Sequence, residues 1–342
     1  MSQMRIEAAE APAAVARLLA CDHEAYAALG EQLRRTPPRS ILTLARGSSD
    51  HAAHYAGYLV MARLGRLVTS LPMSLITLYG ARLDCDGLLA LAFSQSGQSP
   101  DLVLPTQQLA ARGATTVAFV NDAASPLARA ARWAFRLHAG TEASIAATKS
   151  FIAQMAVGAR LVAAWQGDAA LADTLDALPA ALSQAHAAGT AWCDAGVPAL
   201  MQAERLYVIG RGTGLVVAME AALKLKEVCG IQAEALSGAE LRHGPLALVG
   251  TGYPVLLFAP RGPALAGLLA LADDLRQRGA NVLLAAPPGT PGAALPLVAT
   301  ADIDLDPISA IQSFYPLVEA LARARGRDPD QPPHLAKVTM TR

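Results

Sequence analysis

The sequence predicts an α/β protein built from two similar domains in tandem, each a parallel sheet covered by helices on both faces. Three observations predict it. Short apolar runs that end in small or turn residues recur along the chain, as in "SILTLARGSS", "LLALAFSQSG" and "ATTVAFVN". Runs of that length and content read as strands inside a sheet buried on both faces. Longer Ala- and Leu-rich segments of helical period lie between them, the alternation expected of a parallel sheet. The plan then repeats: "LTLARGSS" is echoed by "LYVIGRGTG", "LALAFSQSG" by "PVLLFAPRG" and "ARGATTVAFV" by "QRGANVLLAA". Gly47 and Gly212 stand 165 residues apart, as do Phe93 and Phe258, and Gly113 and Gly279 stand 166 apart. Self-similarity at one offset marks a duplicated unit.

The repeat divides the chain into a helical N-terminal segment (1–34), a first sheet domain (35–165), an Ala-rich helical linker (166–195), a second sheet domain (196–326) and a C-terminal tail (327–342). At 342 residues there is chain enough for both cores.

Composition excludes several functions. The 28 basic and 28 acidic residues cancel, which argues against a broad footprint for nucleic acid or an anionic membrane. Apolar runs such as "GLLALAF" and "VLLFA" are far too short to cross a bilayer. The first turns carry Glu7 and Glu10 and no uninterrupted apolar stretch, so no signal peptide is expected. Cys21, Cys85, Cys193 and Cys229 show neither metal-ligand nor disulfide-framework spacing, and read as reduced thiols of a cytoplasmic protein.

The loops after the strands carry the chemistry. "SQSGQSPD" follows an apolar strand and precedes a helical segment; Ser94, Ser96 and Ser99 offer hydroxyls and Gly97 permits a tight turn. A helix N-terminus there favours an anion. The loop lacks the Gly-Lys-Ser of a nucleotide P-loop, and "ARGSSD" is no dinucleotide fingerprint. A small phosphate monoester fits better, against the plain alternative of a Ser-capped turn. "ARGSSDHAAH" places Ser48 and Ser49 on a second strand-to-helix loop at the same sheet edge, where ligands of open α/β sheets lie. His51 and His54 lack a third ligand nearby, so no metal is expected. "AGTEASIAATKS" supplies Thr141, Glu142, Thr148 and Lys149 before another helix, and Thr148 serves equally as cap or ligand contact. The second half has "APRGPA" where the first has "SQSGQS", which implies one anion site per chain.

In "MEAALKLKEV", Glu220, Lys224 and Glu227 fall at i, i+4 and i+7, on one helix face. The usual meaning is an exposed ion-pair ladder. The Ala, Leu, Val and Cys around them argue instead for a buried helix, where a carboxylate beside a cation is a candidate base. His243 precedes a rigid Gly-Pro turn in "RHGPLA", and a lone His is more often structural than catalytic. Only Lys149, Lys224, Lys226 and Lys337 are lysines among the 28 basic residues. Three lie in these segments and the fourth is five residues from the end. Lysine alone of the cationic side chains forms Schiff bases with carbonyl compounds.

Taken in order, "MRIEAAEAP", "SQSGQSPD", "GTEASIAATK", "EAALKLKE", "AEALSGAELRHGPLAL" and "DQPPHLAKVT" resemble the sugar isomerase (SIS) fold in tandem, and in particular the isomerase half of glucosamine-6-phosphate synthases. The resemblance implies flavodoxin-like three-layer domains without a cofactor. It implies that Ser48, Ser49, Ser94, Gln95, Ser96 and Ser99, with Thr148, hold a hexose phosphate. Glu227 would carry the proton between C1 and C2, Lys224 would support it, and His243 would assist ring opening, in this family often from the neighbouring subunit of a homodimer with a shared active site. Lys337, on a tail closing over the site, would form the Schiff base. "ARGSSDH" departs from the synthase-like "CGTS" towards stand-alone deaminases, and Ala147 stands where the synthase pattern has a Ser that contacts substrate. The sugar part starts almost at Met1 with Ser2 next, so no built-in glutaminase is expected. The implied activity is deamination of glucosamine 6-phosphate to fructose 6-phosphate and ammonia. Galactosamine-6-phosphate deamination, a fructosamine-6-phosphate deglycase reaction, or a non-catalytic phosphosugar sensor are the alternatives.

Overall fold

The computed structural model describes residues 1–167 and 169–337. It contains two five-stranded sheets in which all the strand pairs are parallel. The first is built from β1 (Ser40–Leu44), β2 (Val68–Ser70), β3 (Leu88–Ser94), β4 (Thr115–Val120) and β5 (Trp133–Arg136), ordered β2-β1-β3-β4-β5. The second is built from β6 (Arg205–Gly210), β7 (Gln232–Ser237), β8 (Pro254–Phe258), β9 (Asn281–Ala286) and β10 (Leu295–Pro296), ordered β10-β9-β8-β6-β7. Read from the other edge, the second order is the first with five added to every strand number. The repeat seen in the sequence is thus a repeat of topology.

In the first sheet every residue of β3 is buried. Leu88, Ala90 and Ala92 pack with Leu102 and Leu109 of the helix Pro100–Ala111. Successive side chains alternate between faces, so Leu89, Leu91 and Phe93 enter the opposite layer, where Phe93 meets Phe119 at 4.7 Å between ring centroids. Both faces being covered explains why the strand reads as one continuous apolar run. In the second sheet Ile209, Val255 and Leu257 pack with Leu268 and Leu275 of the helix Leu265–Gln277. The helices Leu178–Leu200 and Asp306–Ala324 pack so closely that a Cβ at Gly196 would lie 2.7 Å from the Leu317 side chain.

The chain divides into two compact units whose segments interleave. One holds the first sheet and comprises Ala13–Glu142, Lys149–Asp176 and, of the described C-terminal residues, 336–337; the other holds the second sheet and comprises Met1–Pro12, Ala143–Thr148 and Ala177–Leu335. Within the second-sheet unit, the Asp330 carboxylate accepts the backbone N–H of Gln3 and Met4, each at 2.7 Å. The buried Glu7 carboxylate accepts the N–H of Ala143 and Ser144. These two acids hold the remote segments in place. Among the described residues no helix is long and apolar enough to cross a membrane.

Candidate active site

At the carboxyl edge of the first sheet, β1 and β3 send their connections to opposite sides, the switch point where open α/β sheets bind ligands. A cleft of about 280 Å³ opens there, lined by the end of β3, by the segments that follow β1 and β3, and by Lys337. Ser94 Oγ accepts the N–H of Gly97 at 3.0 Å and Ser96 Oγ that of Gln98 at 3.2 Å. Each hydroxyl keeps its own proton to donate. Gly97 has φ +63°, and a Cβ there would lie 2.3 Å from Ser125 Oγ, so the tight turn requires glycine. Ser99 occupies the N-cap position of the helix Pro100–Ala111, yet its side chain makes no capping bond. A capping serine would have accepted a helix N–H; Ser99 does not, and lines the cleft.

The structure brings Ser49, Ser94, Gln95, Ser96, Ser99 and Lys337 to this cleft. Ser48 opens the helix Ser48–Leu64 and is not among the lining residues. Thr148 is buried and belongs to the other unit. Sequence reasoning missed Arg46, which lines the cleft with half its side chain in solvent and one guanidinium N–H on the buried Asp101 carboxylate at 3.0 Å. Its signal was visible, an arginine two residues past a strand and just before Gly47, but the hydroxyls drew the reading. Burial pushes the neighbouring Asp50 carboxyl upward, against the pull of His51, His54 and Arg46.

Lys337 does not fray. Its Nζ lies 3.0 Å from Glu142 Oε2. The Glu142 side chain is fully buried and also accepts the N–H of Ser150 at 3.1 Å and the Ser150 hydroxyl at 2.5 Å. The carboxylate thereby sits on the first turn of the helix Lys149–Gln166, where negative charge is favoured, and anchors the lysine to the first-sheet unit. Residues 338–342 of the expected closing tail lie outside the described residues.

In the second-sheet unit, Lys224 lies between two carboxylates: its Nζ is 3.5 Å from Glu220 Oε1 and hydrogen-bonds to Glu227. Glu220 and Lys224 are buried, whereas Glu227 keeps a fifth of its side chain exposed. A regular helix ends at Lys224, and Leu225–Cys229 is a π-turn closed by Gly230. The three residues share a face as the spacing predicted, but Glu227 is presented by an irregular turn of the kind that recurs at functional sites. His243 follows the 3₁₀ turn Glu240–Arg242, precedes Gly244 at φ +132°, and faces a separate cleft of about 210 Å³ together with Arg211 and Arg242. Its exposed ring makes no hydrogen bond or ion pair among the described residues. No group of three or more His, Cys, Asp or Glu among the described residues is placed to hold a metal ion.

The SIS domain family matches residues 36–164 and 199–304. A glutamine–fructose-6-phosphate aminotransferase (isomerizing) of Aeropyrum pernix is 35% identical over 323 residues, covering 87% of this chain and 50% of its own. The chain spans about half the length of the curated relatives it matches. A crystal structure from Silicibacter pomeroyi, provisionally described as a phosphosugar isomerase, superposes with a TM-score of 0.89 at 42% identity and covers 96% of this chain and all of that one. The C-terminal domain of the Francisella tularensis glucosamine-fructose-6-phosphate aminotransferase gives 0.86 at 25% identity, covering 97% and 98%. With two matched segments, one around each sheet, the chain belongs to the SIS domain family.

Proposed function

We propose that this chain is a phosphosugar aldose–ketose isomerase, and that its reaction is the deaminating one: glucosamine 6-phosphate and water give fructose 6-phosphate and ammonia. The observation that carries the reading is the lysine amine held against a buried carboxylate at the serine-lined cleft. In this reading the phosphate accepts hydrogen bonds from Ser94, Ser96 and Ser99 and from Arg46, with Ser49 and Gln95 completing the cradle. A guanidinium with free N–H groups suits a phosphate dianion.

His243 moves the anomeric hydroxyl proton to the ring oxygen, opening the ring to the aldehyde. Glu227 takes the C2 proton, giving an enolamine, and returns it to C1, which leaves a ketimine at C2. Lys224 holds the Glu227 carboxylate in place. Lys337 Nζ attacks the ketimine carbon, ammonia leaves, and water hydrolyses the lysine Schiff base to the ketose. Before attack the ammonium gives up a proton, for which Glu142 is the adjacent acceptor. The reaction requires no cofactor in this scheme. The proposal includes a cytoplasmic homodimer in which His243 serves the partner's substrate.

Purified protein incubated with glucosamine 6-phosphate is expected to release ammonia and fructose 6-phosphate in equal amounts. Lys337→Arg keeps the charge and cannot form the Schiff base, so it is expected to lose the deamination. Turnover only with galactosamine 6-phosphate or fructosamine 6-phosphate would move the substrate and keep the class. Binding without turnover of any of the three would replace the enzyme by a sensor.

A further inference from the structure

A second cavity in the first-sheet unit, of about 390 Å³, shares no lining residue with the Ser94–Ser99 cleft. It lies among the helices His23–Arg35, Lys149–Gln166 and Ala169–Asp176. Its volume falls in the range of small-molecule sites, and Leu19, Ala163 and Leu175 give it apolar walls. Two observations make it more than a packing defect.

The first is Arg160. It is 8% exposed, stacks over the Tyr26 ring with 4.2 Å to the centroid, and donates to the carbonyls of Leu18 and Cys21. No carboxylate among the described residues pairs with it, although a buried cation normally has one. Burial depresses its pKa, with Tyr26, Asp22, Cys21 and Asp176 acting the other way. The second is the Tyr26 hydroxyl. Tyr26 is 3% exposed, lines the cavity, and its oxygen has no hydrogen-bond partner among the described residues. A buried hydroxyl without a partner is uncommon in folded proteins.

We infer that this cavity binds a small organic carboxylate with an apolar body. The carboxylate accepts from the Tyr26 hydroxyl and from Arg160, and the body lies against Leu19, Ala163 and Leu175. A single negative charge completes the Arg160 environment. A phosphate dianion fits worse, because Asp176 is also in the wall and a second negative charge would face it. Arg34, which donates to the carbonyls of Ala164 and Trp165, adds positive potential at the rim.

The test uses the intact protein and four probes: benzoate, 4-phenylbutyrate, benzamide and inorganic phosphate. Calorimetry and ligand-observed NMR are expected to show at least one of the two acids binding, with benzamide weaker by about tenfold or more, the worth of one charge-assisted contact, and phosphate weaker still. Arg160 holds two carbonyls and its removal endangers folding, so the variants are Tyr26→Phe, which deletes only the hydroxyl, and Ala172→Trp, which blocks the exposed rim. Tyr26→Phe is expected to weaken the acid several-fold, and Ala172→Trp to abolish its binding, both with unchanged melting temperature. The inference is overturned if neither acid binds at about 10 mM, a threshold weaker than ordinary metabolite sites. It is equally overturned if acid and amide bind alike, or if binding survives both substitutions.

Discussion

The two sheets share a strand order and differ in the loops that leave β3 and β8, strands related by the repeat. At the end of β3 comes "SQSG": its serines close the turn with their lone pairs and keep their protons to donate. After β8 comes "APRG": Pro260 has no N–H to offer, and Arg261 is committed to the Asp306 carboxylate by two bonds of 2.8 Å and to the Thr300 carbonyl by a third. Asp306 is buried, so this arginine neutralises a structural charge. Arg46 in the first half touches its acid with one N–H. A duplicated scaffold has a serine-lined cleft in one copy, where we propose the phosphate binds, and a structural clamp in the other. The proton-transfer candidates of the second copy come from a different place, the π-turn before β7.

That division can be broken in several ways. The largest expected effect is on Glu227→Gln, which keeps the shape of the side chain and removes the base: kcat is expected to fall by about 10²–10⁴, the usual worth of general acid–base catalysis, with KM little changed. Steady-state kinetics check it, and a rise in KM with kcat intact would place Glu227 in binding.

Next come the two arginines, with opposite signatures. Arg46→Ala is expected to raise KM for the hexose phosphate about tenfold, by loss of a charge-assisted bond, with little change in melting temperature. Arg261→Ala is expected to leave KM alone and destabilise by roughly 2 kcal/mol, below the range for a buried pair because its guanidinium is partly in water. Denaturant melts and kinetics on both variants would show whether the division holds.

The glycines one repeat apart give a smaller contrast. Gly97 and its counterpart Gly262 both have positive φ, +63° and +119°. A Cβ at Gly262 meets nothing nearer than 3.7 Å, while at Gly97 it strikes Ser125 at 2.3 Å. Gly97→Ala therefore adds a clash to the strain and should cost about 1–2 kcal/mol more than Gly262→Ala, with a raised KM only in the former.

The smallest effect expected is a pH dependence confined to the second-sheet unit. Burial lowers the His186 pKa below 6.5, and its Nδ1 lies 3.1 Å from Gln312 Nε2, where a neutral ring accepts the amide proton. The unfolded chain then binds a proton the folded one refuses, so stability falls as pH drops through 6.5 towards the folded value. Melting temperatures from pH 8 to 5 should show this component vanish in His186→Gln.

Six of the ten strands were legible in the sequence, β1, β3, β4, β6, β8 and β9, because burial on both faces writes a continuous apolar run. The edge strands were not. β2 and β10 are three and two residues long, and β7 reads "QAEALS", with mixed exposure and no apolar run to find. The serine loops and the Glu220–Lys224–Glu227 face were legible because local spacing decides them. Arg46, the Glu142–Lys337 pair and the interleaving of the units were not. Each depends on a partner far along the chain: Asp101 is 55 residues from Arg46, and Lys337 is 195 from Glu142.

The most direct test of the central claim needs no amine and no ammonia assay. Fructose 6-phosphate incubated with the protein in D₂O is monitored by proton NMR at C1. The account predicts deuterium entering C1 with the wild type and none with Glu227→Gln. Absence of exchange with the wild type, under conditions where the sugar phosphate is shown to bind, would contradict it.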